Sequence, residues 1–189
     1  MVFEFERETT RNARMKVVGV GGAGGNAVNR MIDENLDGVE FVAINTDAQA
    51  LSNCSAHLSL QVGRKLTRGL GAGARPEVGR QAIAENEEEV RRALEGADMV
   101  FVTAGMGGGT GTGAAPIISQ VAHDQGALTV GVVTKPFLFE GRKRSKNAER
   151  GVQELIDCID SIITIPNQRL MALGDDDITM LDAFARADD

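Results

Sequence analysis

The chain has 189 residues, 42% hydrophobic and 25% charged, enough for one domain with its own core and too apolar for wholesale disorder. A net charge of −7 gives no bulk attraction to nucleic acid or to an anionic lipid surface, and the lack of Trp and Tyr removes the usual platforms for stacking single-stranded bases. Glycine is the outlier, with 23 residues gathered in clusters.

Residues 1–14 are rich in charge, hold no apolar signal block, and are expected to form a mobile extension. A first strand is predicted over 15–20. It runs into Gly19, Gly21, Gly22, Gly24 and Gly25, and a helix over 27–34 puts Ala27, Met31 and Ile32 on one side. A strand over 39–44, a short helix over 47–52 and a strand over 57–62 follow. Next comes a basic stretch, Arg64, Lys65, Arg68, Arg75 and Arg80, with a loop of small residues at 69–74 inside it. Pro76 opens a helix predicted over 76–94 and stopped at Gly96. Val78, Ala82, Val90 and Leu94 recur there at helical spacing, and Glu85, Glu87, Glu88 and Glu89 read as a solvated face. The strand predicted over 98–103 enters a run containing Gly105, Gly107, Gly108, Gly109, Gly111 and Gly113 with Thr110 and Thr112, and Pro116 is placed in the first turn of a helix over 116–124. A strand over 128–133, a helix over 145–160 and a strand over 161–165 come next. Asp177 is expected to cap a last helix over 178–189 that meets no stop signal, so the sequence reads as a partial one.

These strands are near-continuous Val, Ile, Phe and Leu, as a parallel sheet covered on both faces requires. Their alternation with helices predicts an α/β fold: a doubly wound, mostly parallel, six-stranded Rossmann-like sheet in the order 3-2-1-4-5-6. No apolar run nears the ~18 residues of a membrane span, so no membrane insertion is expected. Cys54 and Cys158 match no metal or redox spacing and are expected to be buried free thiols in a reducing cytoplasm. His57 in a strand and His123 at a helix end are expected to be structural or exposed.

A strand, a glycine turn and a helix N-terminus together make an anion site, because backbone N–H groups and the helix dipole face the ligand and no side chain keeps it away. Gly19, Gly21 and Gly24 satisfy Gly-x-Gly-x-x-Gly, and Asp47 follows the second strand where a ribose ligand would sit, so an NAD-binding oxidoreductase domain is the competing reading. The second glycine run argues against it. Strands 1 and 4 are neighbours at the switch point of the sheet, so both runs open into one crevice, and two phosphate cradles suit a nucleoside triphosphate. Thr110 and Thr112 add hydroxyl donors for phosphate oxygens. The 69–74 loop is a third close approach of backbone, and the basic residues around it are placed near phosphate. Glu140 can accept from ribose hydroxyls, and Arg144 can approach a phosphate or the base. No Gly-Lys dipeptide exists, so there is no Walker A loop.

The run from Gly107 to Gly113 resembles the signature of the FtsZ family of tubulin-like GTPases. Gly19 to Asn26, Asn45-Thr46-Asp47, Gly71 to Ala74 and Lys135 to Arg144 resemble that family's nucleotide loops, and Ile165-Pro166-Asn167 and Leu181 to Phe184 match in order and spacing. Eukaryotic tubulins are a poorer match, since they carry serine where this chain has Thr112. The resemblance implies GTP or GDP with Mg²⁺ as ligands, and a GTP-binding domain over 15–177 followed by the start of a central helix over 178–189. It implies that Gly22, Ala23, Gly24, Gly25 and Asn26 contact the nucleotide and that Gly109, Thr110 and Gly111 hold the diphosphate, with Gly108 beside them. Ala72 and Gly73 would approach the γ-phosphate, Glu140 and Arg144 would bind ribose and its surroundings, and Asn167 joins the nucleotide set. Phe184 would stack on guanine, and Asp188 would read its N1–H and 2-amino group. Phe184 and Asp188 are four apart, on one helix face. Asp47 could reach Mg²⁺ through water. Arg75 stands where the family usually has asparagine. The resemblance further implies a cytoplasmic protein of the mid-cell division ring that forms head-to-tail homopolymers and meets division-ring and membrane-tether proteins. The family's water-positioning acidic loop lies beyond the central helix and acts on a neighbouring subunit. The 189 residues alone are therefore expected to bind GTP or GDP with little or no hydrolysis. A third reading is a non-enzymatic module that caps filaments.

Overall fold

The computed structural model describes residues 12–171 and 179–188. Residues 1–11 of the expected extension and Asp177 as a helix cap lie outside the described residues. The elements run β1 (Met15–Val20), α1 (Gly21–Asp33), β2 (Val39–Asn45), α2 (Ala48–Ser52), β3 (Leu58–Gln61), α3 (Arg64–Thr67), α4 (Pro76–Ala84), α5 (Glu87–Leu94), β4 (Met99–Gly105), α6 (Thr110–Asp124) and β5 (Leu128–Lys135). A 3₁₀ turn (Leu138–Glu140), α7 (Arg142–Ile156), β6 (Ser161–Pro166), α8 (Asn167–Met171) and α9 (Met180–Asp188) complete them.

The six strands form one parallel sheet in the order β3-β2-β1-β4-β5-β6, as the alternating pattern requires. Successive strand residues serve opposite faces. Val18, Val20, Val42, Ile44, Val100 and Val102 pack under α4, α5, α6 and α7, whereas Val17 and Phe41 pack with Val28 of α1. Both faces are therefore apolar, which explains the unbroken strand composition. Val20 lies level with Ile44 and Ala104, so the loops after β1, β2 and β4 leave the sheet at one height. That shared edge makes the crevice.

Four expectations need correction. The helix over 76–94 is two helices. Between them Asn86 leaves helical geometry, and its Oδ1 accepts the Gly63 N–H at 2.9 Å, a tertiary bond invisible to periodicity. Helices α1 and α6 begin at Gly21 and Thr110, inside the glycine runs rather than after them. Pro116 is thus in the second turn of α6, not the first. Packing overrides glycine's poor helix propensity here: a Cβ on Gly24 would meet Thr103 O and Gly19, one on Gly79 would meet Gly109 O, and one on Gly113 would meet Pro76 O. Helix α7 begins earlier than expected, at Arg142, and ends earlier, at Ile156. The acidic run behaves as expected: Glu87, Glu88 and Glu89 form the exposed first turn of α5, with Arg91 and Arg92 in its last turn, complementing the helix dipole at both ends.

Candidate functional site

A cavity of about 440 Å³ opens at the carboxyl ends of β1, β2 and β4. Its walls come from the start of α1, the 45–47 turn, the 70–73 loop, the start of α6, the segment from Pro136 to Arg144, Asn167 and α9. Of the predicted residues, Gly22, Ala23, Asp47, Ala72, Gly73, Gly108, Gly109, Thr110, Gly111, Glu140, Arg144, Asn167, Phe184 and Asp188 all line it.

One end is built for an anion. Helices α1 and α6 both start at the wall, and neither has a side-chain cap or an acidic residue in its first turn. Their leading N–H groups have no intrahelical acceptor, and both positive dipole ends face the same space. Gly22 and Gly108 have ordinary backbone angles and open space where a Cβ would stand, so packing does not demand glycine at either. At both positions that space belongs to the cavity. By contrast Gly109 is demanded by packing, since its Cβ would press on Ala72 and on Gly73 O. Gly109 N–H also donates to Gly73 O at 2.6 Å, joining the 70–73 loop to the glycine run. The Thr110 and Thr46 hydroxyls are bonded at 2.7 Å.

The other end is aromatic and rich in acceptors. Phe184, 38% exposed, meets Phe137 and Phe139 edge-on at 5.3 and 5.9 Å. Asp188, one turn further along α9, accepts from Asn26 Nδ2 at 3.2 Å. Asn167 is buried, and its Oδ1 has no hydrogen-bond partner among the described residues although it belongs to the cavity wall. A buried acceptor left unpaired costs about 1–3 kcal/mol, a cost that a bound N–H or O–H donor removes. Glu140 accepts from Phe137 N–H at 2.9 Å and from Arg144 at 2.5 Å, which fixes both side chains at the rim.

Asp47 caps α2, its Oδ1 accepting from Gln49 and Ala50 N–H at 2.9 and 3.0 Å, while Oδ2 faces Gly71. Among the described residues no group of three His, Cys, Asp or Glu could hold a metal ion. One carboxylate beside an anion cradle fits Mg²⁺, which keeps several waters and is held largely through substrate phosphates.

Some predicted residues sit elsewhere. Gly24 is buried where α1 meets β1 and β4; its space is filled by backbone, and it does not line the cavity. Gly25 and Asn26 line an adjoining cavity of about 250 Å³ between α1 and α2. The Thr112 hydroxyl does not point to a ligand: it is buried and accepts the Gly107 N–H at 2.8 Å, bracing the glycine run from within. Arg80 is spent on an ion pair with Glu154 of α7, and Arg75 is exposed, away from the cavity wall. His57 is structural, its Nδ1 accepting from Phe41 N–H at 2.9 Å. His123 is exposed at the end of α6. Both cysteines are free but half-buried rather than buried. Burial, with Asp157 and Glu154 nearby, pushes the Cys158 thiol above its ordinary pKa. Sequence reasoning gave no role to Ala50, Thr134 and Ala187 in the wall, which carry no distinctive signal, whereas Leu70 and Pro136 lie inside loops it had singled out.

Residues 14–175 match the family model described as Tubulin/FtsZ family, GTPase domain. The cell division protein FtsZ of Pseudomonas aeruginosa is 57% identical over 188 residues, covering 100% of this chain and 48% of its own length. The chain thus spans about half the length of the curated relative it matches. An FtsZ dimer structure from M. jannaschii superimposes with a TM-score of 0.92 at 45% identity, covering 95% of this chain and 52% of that one. CetZ2 from Haloferax volcanii, solved as a GTPγS-bound protofilament, gives 0.82 at 25% identity, covering 93% and 55%.

Proposed function

The chain belongs to the Tubulin/FtsZ family, and from that premise we propose that it is the guanine-nucleotide-binding part of a self-assembling GTPase of bacterial cell division. The observation that carries this reading is the pair of uncapped helix N-termini, α1 and α6, opening onto one cavity whose far end holds Phe184, Asp188 and the unpaired Asn167 Oδ1. The phosphates stand against the first N–H groups of α1 and α6, and the γ-phosphate stands against Ala72 and Gly73. The base lies on Phe184. Two acceptors there suit the N1–H and 2-amino donors of guanine and oppose the bare N1 of adenine. Glu140 and Arg144 close the ribose side, and Mg²⁺, with Asp47 reaching it through water, neutralises phosphate charge when bound.

The carboxylates that line the cavity among the described residues are Asp47, Glu140 and Asp188. One caps a helix, one is held by Arg144 and one sits at the base end. With each of the three already serving such a role, this reading assigns hydrolysis to the assembled whole protein and nucleotide binding to these residues. Exposed apolar side chains at and near the cavity support head-to-tail assembly: Leu70, in the cavity wall, is 84% exposed, and Leu138, in the turn that carries Glu140, is 74% exposed. No helix among the described residues is long and apolar enough to cross a membrane. In the cell the whole protein is proposed to act at the mid-cell division site in the cytoplasm, with division-ring and membrane-tether partners.

Amide resonances test the placement. Adding GDP with Mg²⁺ should shift and protect the N–H groups of Gly22, Ala23, Thr110 and Gly111. Shifts confined to another face would reject it.

A further inference from the structure

Asn147 lies on α7, outside the cavity wall, and has no part in the roles given above. Its Nδ2 donates to Ala74 O and to Gly107 O, each at 3.3 Å. Both partners are carbonyl oxygens, so only the NH₂ end of the amide can face them, one proton for each. The two carbonyls belong to different loops. Gly107 opens the glycine run before α6, and Ala74 closes the loop that carries Ala72 and Gly73. That second loop forms neither helix nor strand over 71–75, and Gly71 and Gly73 hold positive φ angles of 77° and 57°. Its position is therefore set by its anchors. At the near end Ala48 N–H donates to Gly69 O at 3.1 Å; at the far end the anchors are the Gly109–Gly73 bond and Asn147.

We infer that Asn147 is a positioning residue: by tying Ala74 to the glycine run it fixes the 71–75 loop against the terminal phosphate, and so sets the preference for a nucleoside triphosphate over a diphosphate. This deepens the proposed function and rests on its nucleotide reading. The first two phosphates meet the N-termini of α1 and α6; Asn147 touches the run before α6 only at Gly107, which the Thr112 hydroxyl braces independently. Only the third phosphate meets the loop, so loosening the loop removes contacts from the triphosphate alone.

The test is calorimetric titration of the chain with GDP and with a slowly hydrolysed GTP analogue, each with Mg²⁺, for wild type, Asn147→Leu and Asn147→Asp. Leucine keeps the branched outline and heavy-atom count, is somewhat bulkier, and removes both donors. The analogue should bind about tenfold more weakly, the equivalent of one net hydrogen bond, while GDP changes by less than about twofold. Aspartate sets an acceptor against two carbonyls and should widen the gap further. In nucleotide-free protein, hydrogen exchange at the Gly109 amide should quicken in the leucine variant. If that variant fails to fold, Asn147→Ser, smaller and uncharged, should show the same split. Equal weakening of both nucleotides, or an unchanged ratio, overturns the proposal. Wild-type protein that binds neither nucleotide would instead overturn the reading beneath it.

Discussion

Asp188 and Asn167 set the chemistry of the cavity's far end, because each offers acceptors where the proposed base would supply donors. Asp188→Asn tests the first. It exchanges one carboxylate oxygen for a donor, which mismatches the 2-amino group of guanine and matches the 2-carbonyl of xanthine. GTP affinity should fall by about 10–100-fold, the range for a hydrogen bond to a charged group, and XTP affinity should rise; competition with a fluorescent nucleotide measures both. Asn167→Leu tests the second. The Asn167 Oδ1 is buried and unpaired, so removing it should leave the empty protein as stable as before or more so, while weakening GDP about tenfold. Thermal melting read beside titration separates the two effects. At this scale the sequence was readable where chemistry and spacing agreed. Phe184 and Asp188, four apart on one helix, reach the same wall. Thr112 misled because a hydroxyl in a glycine run looks like a phosphate donor, and only the fold shows it turned inward onto Gly107.

Glycines sort into two kinds once the elements are assembled. Gly113 and Gly79 let α4 and α6 cross at backbone contact, whereas Gly22 leaves the cavity open beside the first turn of α1. Gly113→Ala should destabilise the fold by about 1–3 kcal/mol or more through overpacking. Gly22→Ala should stabilise the empty chain by about 0.5–1 kcal/mol through helix propensity and yet weaken nucleotide binding. Denaturant melts of both variants, with and without GDP, check the opposite signs. This division explains which elements were legible. Strands and their order follow from apolar runs alternating with helices, so the six-stranded order 3-2-1-4-5-6 could be read in advance. The starts of α1 and α6 could not, because their first turns are glycine and are held helical by neighbours. Nor could the break at Asn86, which depends on Gly63, 23 positions away.

Across the whole molecule, segments from residue 20 to residue 188 converge on one cavity. A ligand there joins α9 to the sheet and should stabilise the fold by mass action. Leu70, in the cavity wall, and Leu138 are both strongly exposed, and the proposed assembly draws on them. Leu138→Asp lies outside the cavity wall, so in the whole protein it should leave nucleotide affinity within about twofold while reducing GTP-dependent sedimentation at least several-fold. Displacement of a fluorescent GTP analogue from the purified chain measures whether this cavity is a guanine nucleotide site. GTP and GDP should displace it at least about a hundredfold better than ATP or NAD, as a site that hydrogen-bonds N1–H and the 2-amino group requires. Equal displacement by ATP, or preferential displacement by NAD, would contradict the claim.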